Sequence, residues 1–163
     1  MDTRKKQRYF LYGLIGALVL LVVITGMTIY TRSRPQTKYL SSLKISQQSK
    51  FQHADVLLVA QVKQQVKTTT SKGIPTTVFR LRVKQNLTAT KLPQSVIIAK
   101  KGGRNPQTGS VYLYHNDQFP LVNKTYVFAL THDHGRLIAA GPYSTVAANP
   151  KNIKQASTLA KRK

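Results

Sequence analysis

The run Phe10–Tyr30, FLYGLIGALVLLVVITGMTIY, constrains this chain more than any other feature, because it holds 21 residues without one charge. As a helix rising about 1.5 Å per residue it reaches roughly 31 Å, the thickness of a bilayer's hydrocarbon core. Twelve of its residues are Leu, Ile, Val or Phe. At roughly −0.3 to −0.6 kcal/mol each they favour insertion by about 4 to 7 kcal/mol. The run therefore predicts a transmembrane helix. A cleaved secretory signal has a shorter apolar stretch that ends in small residues, whereas Thr25–Tyr30 offers no such site. An uncleaved signal anchor is the expectation. Arg4, Lys5, Lys6 and Arg8 precede the run, and Arg32, Arg34, Lys38 and Lys44 follow it, so the flanking cations balance. The tight packing of the leading four on a short head points to an inside N-terminus. A single-pass protein of the cell membrane, with its C-terminal domain extracytoplasmic, is expected.

With 163 residues, the chain has room for one ordinary domain beyond that helix. Composition divides it into a basic cytoplasmic head (1–9), the membrane helix (10–30), a basic connector (31–50), a β-domain (51–148) and a basic flexible tail (149–163). Pro35 ends the membrane helix, and Tyr39, Leu40, Leu43 and Gln47 have the spacing of one short helix in the connector. The β-domain reads as strands over Val56–Lys67, Thr77–Leu87, Ser95–Lys100, Val111–Tyr114, Lys124–Thr131 and Arg136–Ala140. The second alternates most cleanly, with Phe79, Leu81 and Val83 on one face and Arg80, Arg82 and Lys84 on the other. Turn signals at Lys72-Gly73-Ile74-Pro75, Gly102-Gly103-Arg104-Asn105-Pro106 and Asp133-His134-Gly135 separate them. The predicted class is mainly β: one N-terminal transmembrane helix followed by a small antiparallel OB-like barrel of about six strands.

Five segments carry a resemblance: ADVLLVAQV at 54–62, FRLRVKQNL at 79–87, SVIIAKKGG at 95–103, PLVNKTYVFAL at 120–130 and the hairpin closing at Ala140-Gly141-Pro142. Over about residues 50–148 the pattern resembles small membrane-anchored bacterial envelope domains with a netrin-like, OB-type barrel. It departs at Thr88-Ala89-Thr90-Lys91, where the family pattern has a lysine-glycine turn. The resemblance implies a fold and an envelope address; it brings no activity and no functional residues.

Chemistry is constrained mostly by what is missing. The sequence contains no Cys and no Trp, and its only acids are Asp2, Asp55, Asp117 and Asp133. Thiol catalysis, thiolate metal sites and two-carboxylate hydrolysis are thereby excluded or improbable. His132-Asp133-His134 is the one local group of metal-capable ligands. Its two histidines share a face in an extended chain, but a zinc site needs a third ligand, which only folding could bring from His115 or Asp117. The run equally makes a polar hairpin turn. Lys100-Lys101-Gly102-Gly103-Arg104 lacks the spacing of a phosphate-binding loop and reads as a surface hairpin with solvated cations. No catalytic residue, no metal and no cofactor is expected, and the chain is read as a non-enzyme.

Charge is what rises above background. Net charge is +22, and residues 31–163 alone carry 22 Lys+Arg against 3 Asp. Lys63, Lys67, Arg80, Arg82, Lys84, Lys100, Lys101 and Arg104 are the candidate polyanion-binding residues, the first five sharing one outer face if the first two strands pair. The expected partners are the membrane and anionic wall polymers or anionic lipid head groups, held by a binding or structural module. The alternative is a membrane-tethered OB-like nucleic-acid binder, with Tyr112, Tyr114, Phe119, Tyr126 and Phe128 as possible stacking rings.

Overall fold

The computed structural model describes residues 16–25, 27 and 36–161. The chain divides at Pro35 into two units, Met1–Pro35 and Gln36–Lys163. In the first, residues 16–25 form helix α1, and Leu18 through Val23 are each 56–65 % exposed. Thr25 turns its hydroxyl back onto the Leu21 carbonyl at 2.7 Å, satisfying its own donor within the helix. Among the described residues no helix is long and apolar enough to cross a membrane. The remainder of the expected 10–30 span (10–15, 26 and 28–30) lies outside the described residues, as do the head 1–9 and connector residues 31–35.

The second unit is built from β1 (Thr37–Leu40), α2 (Gln47–His53), β2 (Val56–Ser71), β3 (Ile74–Asn86), β4 (Ser95–Lys101), β5 (Gly103–Arg104), β6 (Val111–Tyr114), β7 (Thr125–Asp133), β8 (Arg136–Ala139), β9 (Thr145–Ala147) and α3 (Pro150–Ala160). Five strands close a barrel in the order β2-β3-β4-β8-β7, with β7 pairing back to β2. Every barrel pairing is antiparallel except β4 with β8. In order along the chain these are strands 1-2-3-5-4-1, the Greek-key closure of an OB-like fold.

Two hairpin turns owe their shape to residues visible in the sequence. Lys72 and Gly73 lie at φ 50° and 76°, His134 and Gly135 at φ 49° and 74°. Two successive positive angles make the turn that suits the twist of paired strands, and glycine adopts the second without strain. Closure also requires that the long β2–β3 ribbon bend. Its register shifts at three places, where Lys84, Lys63 and Val66 are each skipped by the pairing. Bulges of this kind curve a ribbon and sharpen its twist.

β2 begins apolar on both faces because both are covered. Val56, Leu58, Ala60 and Val62 point into the barrel with Phe79, Leu81, Ile98, Phe128 and Leu130. Leu57 and Val59, with Val127, Ala129 and Val146, form an outer layer against Phe51 of α2 and Ala156, Leu159 and Ala160 of α3. Ser46 caps α2 by accepting from the Ser49 amide at 3.1 Å, and Asn149 caps α3 by accepting from the Asn152 amide at 2.8 Å. Pro150 fills the first turn of α3, where a missing N–H costs nothing.

Four expectations are corrected here. The barrel has five strands rather than six, since Val111–Tyr114 pairs in a separate three-stranded sheet, β1-β6-β5. The connector helix lies at Gln47–His53, and Thr37–Leu40 is instead a strand parallel to β6. Residues 149–161 are not a frayed tail: α3 buries Ala156, Leu159 and Ala160 against the barrel. The folded unit therefore extends beyond 51–148 at both ends, to Gln36 and through α3.

Candidate anion-binding face

Pairing of β2 with β3 sets the cations on the outer surface. Arg80 and Arg82 alternate with the buried Phe79 and Leu81, so both are exposed. Gln64 stands opposite Arg80, Gln61 opposite Arg82 and Lys67 opposite Val78. Residues opposite each other across a sheet share a face, so Lys67, Arg80 and Arg82 lie on one surface. Lys63 and Lys84 are exposed on the same two strands, each at a bulge. Lys101 and Arg104 are exposed elsewhere, at the end of β4 and in the small sheet, where Arg104 pairs with Val111.

Lys100 is not on that surface. It shares the parity of Val96 and Ile98, which point inward, and its side chain is fully buried. Its ammonium donates to Asp117 Oδ2 and to Ser144 Oγ at 3.0 Å. Ser144 Oγ donates onward to Asp117 Oδ1 at 3.1 Å, and the Thr145 amide donates to the same oxygen at 2.8 Å. Burial pushes the Lys100 ammonium below the ordinary lysine range, against the opposing pull of Asp117. Burial likewise pushes the Asp117 carboxyl up, opposed by Lys100 and by the hydrogen bonds from Thr145 and Ser144. Nearby, Lys50 of α2 donates to the Ala140 carbonyl at 2.7 Å, its own ammonium lowered by burial. A serine beside a lysine has the composition of a nucleophilic dyad, but Ser144 and Lys100 are both 0 % exposed and no substrate reaches them. The group is a structural lock between β4, the loop after β6 and the start of β9.

The glycine pair is also inside. Gly102 and Gly103 are buried at φ 101° and 132°, with Gly103 opposite Tyr112 in the small sheet. A side chain on Gly102 would meet the Tyr112 carbonyl oxygen at 2.5 Å, and one on Gly103 would meet Thr77 Oγ1 and Phe119. Close packing, rather than a solvated hairpin or an anion cradle, explains these glycines.

The histidine cluster divides between two carboxylates. The His132 amide donates to Asp55 Oδ2 at 2.7 Å, tying the start of β2 to the end of β7, while His134 Nδ1 lies 2.6 Å from Asp133 Oδ1. Among the described residues no three His, Cys, Asp or Glu side chains are grouped to hold a metal ion.

Alternation within β4 exposes what sequence reading missed. Ile97 is 56 % exposed in mid-strand, directly opposite Arg80. It precedes Ile98, which pairs with Leu137 of β8, so Arg136 stands level with Ile97 on its other side. Ala99 lies between Val78 and Ile138 in the next row. Ile97, Ala99, Val78, Leu92 and Pro93 bound a groove of about 490 Å³ on the β3–β4–β8 flank, with Lys67 and Arg136 in its lining and Arg80 beside Ile97 just outside it. In OB-type barrels this flank, with the first and last hairpin loops, is the surface that meets extended polymers.

The five aromatic rings lie elsewhere. Tyr126 and Phe128 are buried in the barrel, their centroids 6.0 Å apart, and Phe119 sits edge-on to Phe79 at 5.6 Å. Tyr112 and Tyr114 belong to the small sheet, with Lys38 5.7 Å above the Tyr112 ring. None of the residues lining the groove is aromatic.

No protein-family model matches the chain, and no curated protein matches it. The fold and the distribution of charge define the molecule at the level they reach: a basic domain built on a closed, OB-like five-stranded barrel.

Proposed function

We propose that this is a membrane-anchored, non-catalytic envelope module of the netrin-like, OB-type kind, which holds an anionic polymer against its β2–β3–β4 face. The observation that carries the reading is the alignment of Lys67, Arg80 and Arg82 on one exposed surface, flanked by Lys63 and Lys84, in a chain of net charge +22. Like charges brought together on a sheet repel, and a polyanion that releases its counterions relieves that repulsion. The 21-residue uncharged run at 10–30 supplies the anchor, and α1 presents apolar side chains within it. The closely packed cations Arg4, Lys5, Lys6 and Arg8 before that run support a barrel outside the cytoplasm. Phosphodiester-linked wall polymer or anionic head groups fit this face better than nucleic acid, because stacking on aromatic rings is absent from the groove.

Retention of the full chain, held in zwitterionic nanodiscs, on purified phosphodiester wall polymer tests the reading, with a single-stranded oligonucleotide as competitor. The expected result is binding at low salt and release toward about 1 M, where screening is nearly complete. No retention at low salt, or preferential binding of the oligonucleotide, overturns it. Digestion of a C-terminal tag on intact protoplasts is expected as well; protection until lysis contradicts the outside placement.

A further inference from the structure

The groove itself is more apolar than polymer binding requires. Ile97 is exposed in mid-strand, and the neighbouring outward positions hold Arg80, Arg82 and Lys101. Ile97 is set between Arg80 on β3 and Arg136 on β8. Strands lie about 4.8 Å apart, so the two arginine Cα atoms flank it at roughly 10 Å separation. Val78 and Ala99 continue the apolar floor, and Leu92 and Pro93 raise one wall. Asp133, the Cα partner of Arg136, is engaged with His134. A volume of about 490 Å³ suits a small ligand rather than a polymer backbone.

We infer that the β3–β4–β8 groove takes one anionic amphiphile from the membrane, its phosphate between Arg80 and Arg136 and its acyl chain over Ile97 and Ala99. This rests on the anion-binding reading of the same face and names the ligand class. Charge complementarity selects the head group: two guanidiniums present forked donors to phosphate oxygens. The apolar floor selects the chain, since burying its methylenes takes apolar surface out of water.

The domain suffices for the test. Among the described residues, every strand pairing and both apolar clusters lie within Gln36–Lys163, a compact unit by itself. That fragment is titrated with dodecanoyl glycerol 3-phosphate below its micelle concentration, with glycerol 3-phosphate and with dodecylphosphocholine, reading backbone NMR shifts at Ile97 and Ala99. The expected result is at least about tenfold tighter binding of the dodecanoyl phosphate than of either comparator. Ile97→Asp, an exposed change that keeps the wild-type spectrum elsewhere, abolishes that preference, and Ile97→Val retains it. Equal binding of the chainless phosphate overturns the inference and leaves the anion-binding reading intact. Absence of all binding overturns it too, and retention of the same fragment on wall polymer then decides whether the broader reading falls with it.

Discussion

Lys100 and Asp117 form an ion pair whose side chains are both fully withdrawn from water. It joins β4 to the loop after β6 and, through Ser144 and Thr145, to the segment that starts β9. Breaking such a pair from one side leaves an uncompensated buried charge, which costs about 3–5 kcal/mol. Lys100→Met is therefore expected to destabilise the domain by that amount in chemical denaturation. Lys100→Met combined with Asp117→Leu is expected to recover part of the loss, because the apolar pair needs no desolvation of charge but leaves the Thr145 amide and the Ser144 hydroxyl without their acceptor.

The same pair sets a distinctive pH dependence. Burial raises the folded Asp117 above its ordinary 3.8, so its contribution is complete below 3.8 and is lost as pH rises through the folded value. Burial lowers the folded Lys100 below its ordinary 10.5, so its contribution is complete above 10.5 and is lost as pH falls through the folded value. Wild-type stability minus that of the double variant is expected to trace a trough, lowest between the two folded values. A dome in that difference, from denaturation at a series of pH values, contradicts the dominance of burial over pairing.

Gly103 and Gly73 both have positive φ, at 132° and 76°, but only Gly103 is hemmed in, with Phe119 3.1 Å from where a Cβ would stand. Gly73→Ala is expected to cost about 1–2 kcal/mol from backbone conformation alone. Gly103→Ala adds overpacking of a further 1–3 kcal/mol or so. Thermal unfolding that ranks the two equally contradicts this.

Leu159 anchors α3 to the outer face of β2 and β7. Its truncation to Ala is expected to cost about 2–5 kcal/mol. Deletion of residues 150–163 uncovers Val127, Ala129 and Phe51, and binding of a hydrophobic dye by the truncated domain checks that.

The strands and their turns were legible because each has its own local signal. Alternation marked Phe79–Lys84, and Lys72-Gly73 and His134-Gly135 carried the turn chemistry that the backbone uses. Lys100 went astray because charge was weighed ahead of parity: it follows Val96 and Ile98 at intervals of two, the signature of an inward position. The same oversight hid Ile97, an apolar residue at outward parity. Over residues 149–163 five cations suggested a solvated tail, although Asn149-Pro150 is a helix-start signal and Ile153, Ala156 and Leu159 recur on one face. Asp117 was beyond reach, since only the folded chain brings it to Lys100 across a separation of 17 residues.

Salt dependence of polymer binding tests the central claim most directly. Lys67→Gln, Arg80→Gln and Arg82→Gln, combined in residues 36–163, remove three exposed cations without touching either apolar cluster. The slope of log affinity against log salt on phosphodiester wall polymer is expected to become shallower by about 0.7 per cation, near 2 for the three. An unchanged slope, with the loss appearing instead for Lys151→Gln and Lys154→Gln on α3, would place binding at that helix and contradict the account.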